Sequence, residues 1–187
     1  NKTLLDLGCG PGQYLAALKD TGAKLWGIDI SAIATSEARK KVPDPEQILC
    51  CDACPLPFKD AEFDYVTAWG VIEHFTDIPK IVSEIRRVLK DDGTAVIMVP
   101  NYYYFAFILK TIQKGSGPVK HQEIETLYSF GEWKALIEKE GLTVVGISRH
   151  NKFNKSPLAT WLRKKVIPFY LSNHFVYICK KTSGAQT

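Results

Sequence analysis

A chain of 187 residues with 45% hydrophobic content is most simply one globular domain with a sizeable core. No apolar run approaches the roughly 20 residues of a membrane-spanning helix, and no stretch reads as a signal peptide. The net charge of +4 is uneven: residues 149–187 carry +8 and no acid, the first 148 carry −4, a split that bears on partners rather than on fold.

Leu4-Leu5-Asp6-Leu7 reads as a short buried strand with one acid set into it. Gly8-Cys9-Gly10-Pro11-Gly12 follows as a tight turn, and Tyr14-Leu15-Ala16-Ala17-Leu18 opens an amphipathic helix. This is the first half of a βαβ nucleotide-binding unit, in which glycines let the backbone turn sharply and approach a ligand. The spacing is G-x-G-x-G, with Gln13 where G-x-G-x-x-G requires its last glycine. The charge of Asp6 is awkward beside a pyrophosphate and suits a cationic ligand, so the loop argues against NAD.

Residues 24–29 read as a second strand ending in Asp29, about 20 residues past the loop, where a carboxylate takes both ribose hydroxyls of a nucleoside. Ser31 is placed to cap a helix reaching residue 41. A third strand over 47–51 closes with Asp52. Cys50, Cys51 and Cys54 contain one C-x-x-C with no second pair at ligand spacing, which disfavours zinc and leaves cysteines packed at a strand end. Five cysteines, an odd number, suit a reducing compartment, and the expected location is cytoplasmic.

Residues 65–68 form the fourth predicted strand, followed by Trp69-Gly70-Val71-Ile72-Glu73-His74-Phe75. Apolar residues at 78, 81, 82, 85, 88 and 89 mark a helix. Asp91-Asp92-Gly93 reads as a turn before a fifth strand over 94–99. Beyond Pro100 come an aromatic run over 102–105, a glycine-rich loop near 115, and a helix opened by Ser129 with Glu132 at the capping-box position. A strand over 142–148, a short basic helix over 157–166 and a last strand over 174–181 complete the pattern.

The run Asp6-Leu7-Gly8-Cys9-Gly10-Pro11-Gly12 resembles motif I of the class I S-adenosylmethionine-dependent methyltransferases. Asp52 in C-D-A-C-P-L-P-F, the run over 57–64 and Val71-Ile72-Glu73-His74 are also similar to that family, the last to its small-molecule enzymes. The resemblance covers residues 4 to about 100. It implies a doubly wound, seven-stranded, mostly parallel α/β sheet (a Rossmann-like methyltransferase fold) whose last strand is antiparallel and inserts beside the fifth. It also implies S-adenosyl-L-methionine as cofactor, held by Asp6, Gly8, Gly10, Gly12, Asp29, Ile30, Asp52, Ala53 and Trp69. The chain is expected to be a single methyltransferase domain over 1–187, with acceptor-side insertions at 101–130 and 150–172. Family members usually carry helices before the first strand, so the chain is expected to lack an N-terminal segment.

The cofactor supplies the reactive group, so the absence of a nucleophilic triad does not argue against an enzyme. His74 and His121 are the candidate general bases, needed where an acceptor holds its proton at neutral pH. His74 reads equally as a helix-start histidine bonded to a backbone carbonyl. Some related quinone-precursor enzymes hold a divalent cation with E-x-x-E-H; Gly70 stands where the first glutamate belongs, so no metal is expected. D/N-P-P-Y and a Pro-Cys nucleophile are absent, which disfavours nucleic acid as acceptor.

The leading expectation is methyl transfer to O or N of a small-molecule or lipid-linked metabolite. The alternatives are an RNA or protein acceptor, supported by the basic end, and a cofactor-binding module without catalysis. In 155–170, Leu158, Trp161, Leu162 and Val166 fall at helical spacing with Arg163 and Lys164 on other faces. That pattern suits either weak contact with an anionic membrane surface or a helix packed on its own sheet. Oligomeric state has no signature in the sequence.

Overall fold

The computed structural model describes residues 2–104, 108, 112, 113, 115, 126–150 and 168–182. His121 and the expected basic helix over 157–166 lie outside them. The strands are β1 (Thr3–Leu7), β2 (Lys24–Asp29), β3 (Ile48–Cys50), β4 (Phe63–Trp69), β5 (Leu89–Pro100), β6 (Leu142–His150) and β7 (His174–Lys181). They form one sheet in the order β3-β2-β1-β4-β5-β7-β6. Pairing is parallel from β3 through β5, and β7 runs antiparallel to both β5 and β6.

Among the described residues, the helices between strands include α1 (Gln13–Leu18), α2 (Ala32–Arg39), α3 (Ile78–Val88) and α4 (Phe130–Lys139). Side chains alternate across a strand, so β1 feeds two cores. Leu4 joins Leu15, Leu25, Ala38 and Ile48 under α1 and α2. Leu5 and Leu7 join the stripe Ile78, Ile81, Val82, Ile85 and Val88 of α3, with Trp133 and Ile137 of α4. The predicted helix starts hold: Ser31 Oγ accepts from Ala34 N at 3.2 Å, and Ser129 with Glu132 forms a reciprocal capping box.

One local expectation changes. Asp91-Asp92-Gly93 does not end a helix–strand connection; these residues lie within β5, which begins at Leu89. Phe63 pairs with Leu89 and Tyr65 with Thr94, so the extra residues are taken up as an irregularity in the ladder. Packing explains the difference: Leu89 is fully buried, and a side chain on Gly93 would come within 2.8 Å of its Cγ.

The chain leaves β1 outward to β2 and β3, then returns on the other side to β4. The carboxyl ends of β1 and β4 therefore flank the switch point where open α/β sheets bind ligands. Beyond β5, Asn101 is buried, and its amide nitrogen donates to the carbonyls of Tyr170 and Ser172 at 2.7 and 2.8 Å. The fully buried indole of Trp133 donates from Nε1 to the Pro100 carbonyl at 3.0 Å. Replacing the indole by a phenyl removes this donor to Pro100 together with part of a fully buried ring, at a cost of about 1–3 kcal/mol. Trp133→Phe is therefore expected to lower Tm by roughly 3–10 °C in a calorimetric melt; an unchanged Tm contradicts the anchoring role.

Candidate cofactor and active site

The glycine loop is shaped by backbone geometry that side chains oppose. Gly8, Gly10 and Gly12 have φ of +66°, +52° and +72°. A Cβ on Gly8 would overlap the Val71 side chain, and one on Gly12 would lie 2.9 Å from Ala38 Cα. Gly10 differs, because a Cβ there would meet nothing within 4 Å. Gly8 and Gly12 thus permit close packing, while Gly10 faces open space.

Asp29 braces this loop. Its Oδ2 accepts from Gly10 N and its Oδ1 from Ser31 N, both at 2.8 Å. Cys9 N donates to the Ile28 carbonyl at 3.0 Å, so the loop is tied to β2 twice. Each carboxylate oxygen can accept more than one hydrogen bond, so Asp29 retains capacity for a ligand hydroxyl.

A cleft of about 300 Å³ opens beside the loop. Gly8, Asp29, Ile30, Asp52 and Ala53 line one part of it; Val71, His74 and Phe75, from the turn after β4, line another. Five of the sequence-predicted cofactor residues and one candidate base therefore share a single cavity. Asp52 Oδ1 accepts from Cys54 N at 3.2 Å, which turns the chain after β3. Ile30 is 76% exposed, an apolar surface at the cleft's edge. Val71, Phe75 and Thr76 were not singled out from sequence, although their position around I-E-H places them at the same strand end.

His74 ends the short 3₁₀ turn Ile72–His74, with its Nε2 4.0 Å from Glu73 Oε1. Glu73 is buried, and its backbone carbonyl accepts from Thr126 N at 2.9 Å. Among the described residues, no group of three or more His, Cys, Asp or Glu is placed to hold a metal.

Asp6, Gly10, Gly12 and Trp69 lie around the loop and are not among the side chains lining that cleft. Asp6 is 2% exposed, and its Oδ1 accepts from Thr67 Oγ1 at 2.7 Å. Burial, and to a lesser extent the charge of Asp29, push its pKa up to about 7 against the hydroxyl's opposing effect. The Trp69 Nε1 donor is buried and has no hydrogen-bond partner among the described residues, and its ring centroid lies 5.3 Å from that of Tyr14.

The donor set fits S-adenosylmethionine. Asp29 and Asp52 sit where hydroxyls and an amino group could be accepted, Ile30 offers an apolar face, and Gly10 leaves room for a ligand. The acidic groups favour a cation over a pyrophosphate.

Asp6 makes a testable demand on stability. An unfolded aspartate ionises near pH 4, whereas folded Asp6 keeps its proton to about pH 7. The folded state binds more protons in that window, so its stability falls as pH rises from about 4 to about 7. Asp6→Asn, neutral throughout, removes this slope. Urea unfolding of the ligand-free proteins should show the variant gaining on wild type between pH 5 and pH 8; parallel curves would contradict a buried neutral Asp6.

Comparison with known proteins agrees with the geometry. A family model described as a methyltransferase domain matches residues 5–97. An uncharacterised protein of Methanocaldococcus jannaschii is 30% identical over 97% of this chain and 76% of its own length. A sterol 4-C-methyltransferase of Caenorhabditis elegans is 26% identical over 87% of this chain and 54% of its own length. Both relatives therefore extend beyond the chain. A Thermotoga maritima structure described as an S-adenosylmethionine-dependent methyltransferase, possibly acting on histamine, superposes with a TM-score of 0.74. It is 21% identical and covers 97% of this chain and 83% of its own, a likeness of fold. The glycine loop, the acids at the strand ends and these relatives converge: the chain belongs to the class I S-adenosylmethionine-dependent methyltransferases, and S-adenosylmethionine is its cofactor.

Proposed function

We propose that this chain transfers a methyl group to an O or N atom of a small-molecule or lipid-linked acceptor, with His74 as general base. The observation that carries the reading is that His74 shares one cleft with Gly8, Asp29 and Asp52. The bound cofactor supplies a methyl group already made electrophilic by its sulfonium. What remains for the protein is to hold the acceptor in line, exclude water and take a proton where the acceptor has one.

Val71 and Phe75 give the acceptor end of the cleft an apolar wall beside the imidazole. The Glu73 carboxylate, 4.0 Å from His74 Nε2, attracts the imidazolium formed when the ring accepts a proton. Asp29, Ile30, Asp52 and Ala53 would hold the adenosine portion, and the glycine loop the remainder. Similarity to a sterol-acting relative favours an apolar acceptor. That relative's name places its methyl on carbon, whereas a base in the cleft suits a proton held on oxygen or nitrogen. The amphipathic stretch with Leu158, Trp161, Leu162 and Val166 agrees with an acceptor at a lipid surface.

The basic end of the chain supports a second reading, an RNA or protein acceptor. Methyl-labelled cofactor supplied with lipid, small-metabolite and total-RNA fractions separates the two by which fraction takes up label. With the acceptor so found, His74→Ala is expected to lower turnover by roughly 10²–10⁴-fold while cofactor affinity holds. A loss below about tenfold returns His74 to a structural role.

A further inference from the structure

The cleft wall that follows β3 is a short span held at both ends. At its start Cys51 N donates to the Asp29 carbonyl at 3.2 Å, and Cys51, Asp52 and Ala53 then line the cavity. At its end Leu56 is buried, and side chains of α3 take both of its backbone polar groups. Leu56 N donates to Glu84 Oε2 at 2.8 Å, and the Leu56 carbonyl accepts from Arg87 Nη2 at 3.0 Å.

Glu84 and Arg87 are locked together as a fork, Nε donating to Oε1 and Nη2 to Oε2, each at 2.8 Å. From Nη1 the same guanidinium reaches the Phe58 carbonyl and the Asp60 carboxylate, both at 2.8 Å. The hydrogen bond from Arg87 holds the Glu84 carboxyl below the usual carboxylate range, so the pair stays ionised near neutrality. A partly exposed ion pair contributes little by itself. This one differs because it grips the backbone of the segment that carries Asp52. Neither residue lines the cleft.

Resting on the cofactor assignment above, in which Asp52 accepts from the adenine amino group, we propose that Glu84 and Arg87 are positioning residues for cofactor recognition. Gripping the loop from behind, they fix Leu56 and so the place of Asp52, four positions earlier, against the adenine ring. A hydrogen bond tolerates only a few tenths of an ångström, so a small drift of this span is enough to lose the contact. The fold has other supports at this loop. The Phe58 ring meets those of Phe63 and Trp26 at 4.9 and 5.5 Å, and Ala61 N and Glu62 N donate to the backbone carbonyls of Arg87 and Val88. These contacts survive a change of the Arg87 side chain.

Arg87→Lys keeps the charge and removes the planar fork, which a compact ammonium cannot replace. Calorimetric titration compares S-adenosylhomocysteine with its analogue carrying hydrogen in place of the adenine amino group. Wild type should favour the amino ligand by about tenfold or more, because the analogue leaves a site carboxylate without its donor. In Arg87→Lys the ratio should fall to about threefold or less, through weaker binding of S-adenosylhomocysteine. A purely structural loss lowers the folded fraction, weakens both ligands alike and leaves the ratio intact. Glu84→Gln keeps an acceptor for Leu56 N, drops the charge pairing, and should narrow the ratio in the same direction. A wild-type ratio in Arg87→Lys, or in Glu84→Gln where the first variant does not fold, overturns the inference. A wild type that binds both ligands equally overturns the role of Asp52 beneath it, and one that binds neither overturns the cofactor reading.

Discussion

Asp29, the last residue of β2, accepts from Gly10 N with one carboxylate oxygen and from Ser31 N with the other, each at 2.8 Å. Bonds from backbone amides to a carboxylate are stronger than neutral ones. The first fixes the left-handed glycine loop against β2. The second sets the entry to α2, whose Ala38 then closes against Gly12. Loop, helix and cleft wall thus share one anchor. Loss of this carboxylate would disturb the loop as well as any bond to a ribose, so affinity lost on its removal contains both effects.

The same corner gathers negative potential, which Arg39 offsets only in part at Cys9. Asp6 responds by holding a proton up to about pH 7, and Cys9 is kept firmly neutral. A pyrophosphate placed here would meet two acids, whereas a sulfonium or ammonium is attracted to both. This electrostatic preference separates the loop from dinucleotide-binding relatives of the same βαβ architecture.

Much of this was legible in the residue pattern. Glycine spacing, the acids closing β2 and β3, and the alternating strands and helices defined the sheet and five residues of the cleft. These signals are local: a turn, a strand end and a cap each have their own chemistry. What escaped depends on contacts distant in sequence. Asp91-Asp92-Gly93 carries every local mark of a turn, yet burial of Leu89 and pairing with β4 draw it into a strand. Asp6 was recognisable as an acid near a cationic ligand, but its retained proton follows from cover by neighbouring elements. The ring contact of Trp69 with Tyr14 joins residues 55 positions apart in the chain. Asn101 and Trp133, which tie the end of β5, show no motif because their partners are backbone carbonyls.

A cleft that binds an adenosyl sulfur cofactor rather than a dinucleotide should show this preference in a thermal melt. S-adenosylhomocysteine at about a hundred times its Kd should stabilise the fold by roughly 2.7 kcal/mol, raising Tm by roughly 5–10 °C. NAD at the same concentration should leave Tm unchanged. No shift with S-adenosylmethionine or S-adenosylhomocysteine at millimolar concentration, or an equal shift with NAD, would contradict the account.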